Sequence, residues 1–321
     1  MKVSVMVITY NHERFIAQAL EGVLAQKVNF DYEVVVGEDC STDRTREILM
    51  DFHRRYPDKI VPLLRDHNIG GKENLLATLA ACRGQYVALL EGDDYWISED
   101  KLQKQVDFLD AHPDFAMCCS RVEIVHEDGT HASEIWPSRV AGAYGLEDLL
   151  AENFVATCSV LYRWDSVEPL PAWFRKVRPG DWALHALVTR TAKIELMDDV
   201  MAVYRVHAGS LWSTQTERTR FRKAVRMLKA LDKHLEFQYT STIRRTIARH
   251  RRYVAEARLG MAHAAREKGN RGETAKQVAG YLWNGGLKYP DTWRAFASFT
   301  GYALFGSWYE AIRKAKQASR G

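Results

Sequence analysis

The sequence has few cysteines, and none of them falls in a pattern that stabilises small secreted or zinc-binding domains. The five cysteines are Cys40, Cys82, Cys118, Cys119 and Cys158. They form no CxxC pair and accompany no histidine cluster at zinc-ligand spacing, which argues against a disulfide framework and a structural zinc site. This cysteine usage favours a reducing, cytoplasmic setting.

The sequence also lacks an uninterrupted apolar run of the roughly 20 residues that a membrane-spanning helix needs. The nearest approach, residues 295–309, is interrupted by Ser298, Thr300 and Ser307. Residues 3–8 form a short apolar run without a small-residue cleavage site, so they predict a strand rather than a signal peptide. No internal repeat or low-complexity tract is present, and a hydrophobic content of 46% is typical of a globular protein.

Charge is unevenly distributed along the 321 residues, although the net charge is only +4. Residues 1–217 carry 22 Lys and Arg against 34 Asp and Glu, whereas residues 218–321 carry 23 against 7. This division predicts two regions with different electrostatic roles.

Short β-branched runs alternate with amphipathic stretches over the first 111 residues. The predicted strands are 3–9, 32–37, 60–64 and 86–90, and the predicted helices are 13–26, 43–56, 72–82 and 100–111. This alternation predicts an α/β fold with a mainly parallel sheet flanked by helices. Apolar runs at 115–119, 158–162 and 200–204 are candidates to extend the sheet. Beyond residue 217 the pattern is helical and basic, with a break at 269–272.

The residues that follow the four predicted strands are polar. They are residues 9–13, 38–43, 65–72 and 91–96. Ligands of open α/β sheets bind at the carboxyl ends of the strands, so these segments are the predicted site.

Glu91, Asp93 and Asp94 place three carboxylates within four residues. Like charges this close repel each other unless a cation or several hydrogen-bond donors are present, and oxygen ligands of this type suit Mg²⁺ or Mn²⁺. The alternative interpretation is a solvated turn before the next helix. The position at the carboxyl end of a strand favours a ligand site.

Two further strand ends carry groups suited to a nucleotide. Asp39 precedes a helix cap and is placed to accept hydrogen bonds from a base or ribose. Residues 68–71 form a glycine-containing turn, and with Lys72 they offer backbone N–H groups and an ammonium to phosphate. A turn whose glycines only permit positive φ explains residues 68–71 equally well.

Four segments, taken in order, resemble the family 2 glycosyltransferases, inverting enzymes with the GT-A fold that use nucleotide-sugar donors. The segments are residues 5–11, 38–45, 68–70 and 89–96. The resemblance covers residues 1–215 and implies a GT-A catalytic domain there, with donor binding in residues 1–112 and the acceptor part in residues 113–215. Residues 216–321 are expected to form a basic helical region.

The resemblance implies a donor site built from the strand ends. Its nucleotide- and donor-binding residues are Thr9, Tyr10, Glu13, Asp39, Asn68, Lys72, Glu91, Asp93 and Asp94. Glu91-Gly92-Asp93 takes the place of the family's Asp-x-Asp motif, which implies that Asp93 binds a divalent metal, Mn²⁺ or Mg²⁺. Cys40 stands where a glycine is frequent in the family.

The resemblance also implies a catalytic base and a metal-binding histidine. Asp181 matches a family carboxylate at the head of a helix that takes the acceptor proton, and Trp182 beside it is suited to stack on an acceptor sugar. A helix cap is the alternative role for Asp181. His207 matches a loop that closes over the donor diphosphate and adds a metal ligand, and a solvated histidine is an equally good interpretation.

The predicted function is transfer of a sugar from a nucleoside diphosphate, with UDP-sugars as the first expectation. The acceptor is expected to be a hydroxyl of a glycan or lipid-linked saccharide in surface polysaccharide biosynthesis. A nucleotidyltransferase is one alternative, although residues 9–12 do not form the Gly-rich loop of that class. A non-catalytic nucleotide- or sugar-binding module is the other.

The basic C-terminal region contains dense arginine clusters but no recognisable nucleic-acid-binding motif, so nucleic acid is not a predicted partner. Aromatic residues in 293–309 are followed by Arg313, Lys314 and Lys316, which predicts peripheral contact with the anionic inner face of a membrane. The apolar residues extend almost all the way round this helix. Packing against the catalytic domain, or against a partner chain in an oligomer, is therefore equally consistent.

Overall fold

The computed structural model describes residues 1–129, 131–164, 169–210 and 215–306. They divide into two compact units. The first contains residues 1–210 and Lys229–Glu236, and the second contains Gln215–Leu228 and residues 237–306. Parts of two predicted segments, residues 211–213 of the histidine loop and residues 307–321 of the aromatic and basic tail, lie outside the described residues.

The first half of the sheet has the predicted alternation of strands and helices. Its elements are β1 (Val3–Thr9), α1 (Ile16–Leu24), β2 (Tyr32–Glu38), α2 (Thr45–Arg55), β3 (Ile60–Leu64), α3 (Gly71–Leu79) and β4 (Tyr86–Glu91). Strand β1 pairs in parallel with β2 and β4, and β2 pairs in parallel with β3. Strand β2 is buried at every residue, as expected for a parallel strand covered on both faces.

The second half of the sheet is mixed. Its elements are β5 (Tyr95–Trp96), α4 (Lys101–Ala111), β6 (Phe115–His126), β7 (Glu134–Trp136), β8 (Gly142–Tyr144), α5 (Leu146–Ala151), β9 (Leu161–Arg163), α6 (Gly180–Val188) and β10 (Lys193–Val206). The strand order is β3-β2-β1-β4-β9-β6-β10-β5, with β7 beside β6 and β8 beside β10. Strand β9 is antiparallel to both β4 and β6.

The core lies between the sheet and the helices that cover it. Helix α1 shows the principle, because Ile16, Ala19, Leu20 and Val23 recur at helical spacing and are all buried. Burying each large side chain of this kind stabilises the fold by about 1.5–3 kcal/mol. This packing holds the carboxyl ends of the parallel strands in fixed positions.

The second unit is helical. It contains α7 (Glu217–His234) as far as Leu228, and then α8 (Thr240–Glu267), α9 (Arg271–Trp283) and α10 (Trp293–Phe305). The break predicted at residues 269–272 is confirmed: the Asn270 side chain accepts a hydrogen bond from the Glu273 N–H at 3.0 Å and caps α9. Among the described residues, no helix is both long enough and apolar enough to cross a bilayer.

Candidate active site

Three parallel strands end side by side. In the sheet register, Thr9 lies opposite Glu38 and Ile8 lies opposite Glu91. The segments that follow β1, β2 and β4 therefore meet at one edge of the sheet, as the sequence predicts.

The loop after β1 is bonded to the loop after β2. The Asn11 side chain accepts from the Thr42 N–H at 2.8 Å, and the Glu13 carboxylate accepts from the Arg44 N–H at 2.9 Å. Glu13 thus fixes the two loops to each other. Tyr10 is 41% exposed, whereas Thr9 is buried and its Oγ1 has no hydrogen-bond partner among the described residues.

Asp39 holds the loop that leads into α3. Its two carboxylate oxygens accept from the N–H groups of Ile69 and Gly70 at 2.8 and 3.0 Å, and the Asn68 side chain also accepts from the Gly70 N–H. A buried carboxylate needs such donors. The structure therefore gives Asp39 and Asn68 a loop-positioning role that the sequence does not reveal.

The Asp94 side chain is buried inside the protein. It is 2% exposed, and its Oδ1 accepts from the Arg205 N–H at 2.8 Å. Burial and the charge of Asp93 raise the pKa of Asp94 well above its usual value, which favours the neutral acid. The predicted donor contact of Asp94 is not supported, because this side chain joins the turn after β4 to β10.

Glu91 is the second acid of this turn with a raised pKa. Burial is the main cause, and the charges of Asp94 and Asp93 add to it. Asp181 also acts on this group, which shows that the two candidate site carboxylates are near each other. Glu91 Oε2 is buried and has no hydrogen-bond partner among the described residues.

Asp93 is the acid of the turn that stays ionised. It accepts a hydrogen bond from His207 Nε2 at 3.0 Å, and His12 Nε2 lies 3.8 Å from the same oxygen. Burial acts to raise the pKa of Asp93, but the His207 hydrogen bond and the charge of His12 outweigh it and hold the pKa below its usual value. The predicted pairing of Asp93 with His207 in one site is therefore present.

Two further residues at this site have no individual role predicted from the sequence. His12 reaches Asp93, and Arg205 donates from Nη1 to the Asp93 carbonyl at 2.8 Å while its guanidinium lies 4.2 Å from the centre of the Tyr95 ring. His12 belongs to a strand-end loop, a signal that could have found it. Arg205 lies within β10 and carries no such signal.

Asp181 lies in the first turn of α6, directly after Gly180. Burial raises the pKa of Asp181, and hydrogen bonds from backbone N–H groups and the charge of Lys72 oppose this rise. A raised pKa makes this carboxylate a stronger base than an ordinary aspartate, and its position at a helix N-terminus favours the ionised form that can accept a proton.

Trp182 does not face an acceptor. Its side chain is only 4% exposed, and Nε1 donates to the Leu149 carbonyl at 2.9 Å. The predicted stacking of Trp182 on a sugar is therefore wrong. The indole ring is buried inside the protein, and its N–H already has a hydrogen-bond acceptor there.

The side chain of Lys72, a residue of α3, lies beside the N-terminus of α6. Its Nζ is 3.6 Å from the centre of the Phe174 ring, and the Lys72 side chain packs against Gly180, directly before Asp181. Burial lowers the pKa of Lys72 to about 8. The structure thus places Lys72 beside the predicted base.

A divalent metal can be tested against the donor atoms present. Among the described residues, no group of three or more His, Cys, Asp or Glu side chains has metal-ligand spacing. Asp93 and His207 supply two adjacent donors, and the unpartnered oxygen of Glu91 lies in the same turn. A carboxylate with an imidazole suits Mn²⁺ or Mg²⁺ when oxygen ligands from a substrate complete the shell. The site therefore fits a metal that is held jointly with the donor.

A comparison with models of protein families shows which family the chain belongs to. Residues 4–168, over half of the chain, match the model of glycosyl transferase family 2. The chain belongs to this family. An uncharacterized protein of Mycobacterium tuberculosis is 42% identical over 220 residues, which are 68% of this chain and 63% of that protein. This chain therefore spans less than two thirds of that curated relative.

Solved structures of glycosyltransferases share the fold. Staphylococcus aureus TarS 1–349, in complex with UDP-GlcNAc, has a TM-score of 0.61 at 16% identity, covering 100% of this chain and 92% of TarS 1–349. The mannosyltransferase PcManGT of Pyrobaculum calidifontis, in complex with GDP-Man and Mn²⁺, has a TM-score of 0.55 at 18% identity, covering 89% of this chain and 86% of PcManGT. At these identities the likeness establishes the fold, and the predicted GT-A class is confirmed.

Proposed function

We propose that the protein is a metal-dependent inverting glycosyltransferase that moves a sugar from a nucleoside diphosphate to an acceptor hydroxyl. The observation that carries this proposal is the joint placement of Asp93 with His207, and of Asp181 near Glu91, at the strand ends of a family 2 chain. An ionised acid beside a histidine suits the donor diphosphate and its cation, and a carboxylate of raised pKa suits a general base.

The reaction is a single in-line displacement at the anomeric carbon. The acceptor oxygen forms the new glycosidic bond, the bond to the donor diphosphate breaks, and the acceptor proton passes to the Asp181 carboxylate. Asp93 and His207 would hold Mn²⁺ or Mg²⁺, which when bound supplies positive charge for the departing diphosphate. Asp94 and Arg205 keep the turn that carries Asp93 in place.

We assign the nucleotide to the loops after β1 and β2, where the exposed ring of Tyr10 is available to stack on a base. A UDP-sugar is the proposed donor, and the TarS structure with UDP-GlcNAc is the comparison that supports it. TarS is a poly(ribitol-phosphate) β-N-acetylglucosaminyltransferase and is 34% identical over 113 residues, which are 35% of this chain and 19% of TarS. This similarity supports a polymeric acceptor.

We also propose that the second unit contacts an anionic membrane through exposed apolar side chains between the end of α9 and the start of α10. We call these residues, Leu282, Trp283, Leu287 and Trp293, the α9–α10 surface. These residues are 43%, 81%, 51% and 50% exposed. Tryptophans beside basic side chains such as Lys288 are suited to a membrane interface. Such contact would place the enzyme near a lipid-linked acceptor.

Turnover of nucleotide-sugars tests the proposed activity. Release of nucleoside diphosphate is measured from a panel of UDP- and GDP-sugars, with Mn²⁺, Mg²⁺ or a chelator, and with saccharide acceptors. We expect metal-dependent release from one class of donor, and we expect Asp181→Asn to bind this donor yet lose transfer. Asp58→Asn is the control, since Asp58 is an exposed acid before β3, at the opposite edge of the sheet.

Two results would contradict the proposal. Normal transfer by Asp181→Asn would remove Asp181 as the base. Donor binding without turnover, for every donor and acceptor tried, would indicate a binding module instead.

A further inference from the structure

Lys72 is buried at the start of α3, and its ammonium has no hydrogen-bond partner among the described residues. The side chain is 6% exposed, and Nζ is fully buried. Burying an ammonium without a hydrogen bond is costly unless nearby groups compensate for the lost hydration. The face of the Phe174 ring, 3.6 Å away, provides one such group through a cation–π contact.

The charged groups around Lys72 come from α3, from the segment before α6, and from α6 itself. Arg178 repels the ammonium, whereas Asp181 and Glu73 attract it. Glu73 is already engaged in an ion pair with Arg175. Asp181, by contrast, forms no ion pair with a cationic side chain among the described residues.

The glycine at position 180 makes room for this arrangement. A Cβ built on Gly180 would overlap Nζ and lie 3.2 Å from Cε of Lys72. Any side chain at this position would push the ammonium away from the residue before Asp181. The local sequence Gly180-Asp181 thus combines a carboxylate with space for a cation.

We propose that Lys72 is a positioning residue for glycosyl transfer, whose ammonium, placed against Gly180, provides positive charge beside the Asp181 carboxylate and keeps it ionised. The proposal rests on Asp181 being the base. The sequence predicts instead that Lys72 contacts the donor phosphate. In this proposal Lys72 acts on the base that takes the proton of the acceptor hydroxyl.

The charge balance at Asp181 agrees with this geometry. Burial raises the pKa of Asp181, and Lys72 is the side-chain charge that lowers it again. Glu91 and Tyr162 also face Asp181, and the charge of Asp181 contributes to the raised pKa of each. Since the pKa of Lys72 is about 8, the ammonium is charged at neutral pH and loses its proton in mildly alkaline solution.

The test separates base positioning from donor binding. Lys72→Met removes the charge and keeps the length of the side chain. Donor affinity is measured by titration, and kcat and kcat/KM for transfer are measured from acidic to alkaline pH. We expect donor affinity to stay within about twofold of wild type and kcat at neutral pH to fall about tenfold. The acid limb of the pH profile, where activity falls because the Asp181 carboxylate becomes protonated, is expected to move to higher pH by about one unit.

Gly180→Ala provides an independent variant that keeps the lysine. The new methyl group displaces the ammonium, so the acid limb moves in the same direction. Lys101→Met is the matched control, because Lys101 is also buried with a pKa lowered to about 8, yet it lies on α4 over the Trp96 ring. We expect Lys101→Met to change the stability of the protein without moving the pH profile of transfer.

Weaker donor binding by Lys72→Met with an unmoved acid limb would overturn the proposal and make Lys72 a donor ligand. An unchanged profile in both Lys72→Met and Gly180→Ala would also overturn it. Asp181→Asn is measured in parallel. If that variant is inactive while the Lys72 variant is normal, only the role of Lys72 fails; if it transfers normally, the base assignment itself fails.

Discussion

At the scale of single residues, the acids after β4 differ because their surroundings differ. Asp93 receives a histidine hydrogen bond, whereas Asp94 is enclosed by protein and accepts one backbone N–H. The pKa of Asp93 is lowered and that of Asp94 is raised. Asp93 is thus available to bind a cation, whereas Asp94 has a structural role.

This contrast predicts opposite outcomes for two similar substitutions. Asp93→Asn removes the ionised ligand, and we expect nucleotide-sugar turnover to fall by about a hundredfold or more. Asp94→Asn keeps an oxygen for the Arg205 N–H and resembles the neutral acid, so turnover is expected to stay within about threefold of wild type. Both are measured by steady-state kinetics with Mn²⁺. Equal loss in the two variants would contradict the assigned roles.

Cys40 provides a second prediction at this scale. Its φ is 58°, in the left-handed region that favours glycine. Cys40→Gly is therefore expected to be more stable than Cys40→Ala by about 1 kcal/mol, because both lose the thiol but only alanine keeps the strain. Chemical denaturation of the two variants measures the difference. Equal stability would show that the backbone at residue 40 is not strained.

The sequence indicates some of these residues but not their charge states. Strand-end position and family resemblance pointed to Asp93, Asp181 and His207, and the structure brings Asp93 and His207 into contact. The occupied roles of Asp94 and Trp182 could not be predicted, because their partners Arg205 and Leu149 are distant in sequence. Such contacts depend on tertiary packing alone.

At the scale of elements, the site depends on how the turn after β4 packs against the loop after β1. A Cβ on Gly92 would lie 2.7 Å from Thr9 Oγ1 and 3.0 Å from His12 Nδ1. These distances are too short for a side chain, so the two segments meet only because residue 92 is glycine. The contact also sets the position of Asp93.

Gly92→Ala is accordingly expected to destabilise the protein by about 1–3 kcal/mol and to reduce turnover. Gly71→Ala is the control, because a Cβ there meets nothing within 4 Å in the described chain. Its stability is expected to be unchanged or slightly higher, since alanine is the better helix residue. Thermal melts and turnover of both variants provide the measurement. A harmless Gly92→Ala would contradict this close packing.

Elements of the first half were predictable because each strand is a short apolar run between polar segments. Strands β1 to β4 appear where the alternation predicts them. Strand β10 was only partly predicted, as residues 200–204. It extends over Lys193–Val206 and includes Glu195, Asp198 and Asp199, with irregular register against β6. Polar residues and bulges hide such a strand from periodicity.

At the scale of the whole molecule, the acidic and basic regions of the sequence correspond to different parts of the structure. The acidic region contains the site carboxylates, whereas the basic region forms α7 to α10. The chain exposes two tryptophans on the α9–α10 surface. Sequence alone pointed to the aromatic C-terminal stretch, and only the fold separates its exposed side chains from buried ones such as Phe299 and Tyr302.

Vesicle binding tests the proposed membrane contact. We expect the protein to co-sediment with vesicles containing phosphatidylglycerol and much less with phosphatidylcholine alone, because the basic charge favours an anionic surface. Trp283→Ser should reduce the bound fraction several-fold. Phe237→Ser is the control, since Phe237 is 63% exposed outside the α9–α10 surface. Equal binding by wild type and Trp283→Ser would contradict the assignment.

The most direct test of the central claim is the anomeric configuration of the first product. Proton NMR follows the sugar that the enzyme releases from its nucleotide-sugar donor, onto an acceptor or onto water. A single displacement with Asp181 as base predicts a first product of inverted configuration. A product that keeps the configuration of the donor would contradict the mechanism.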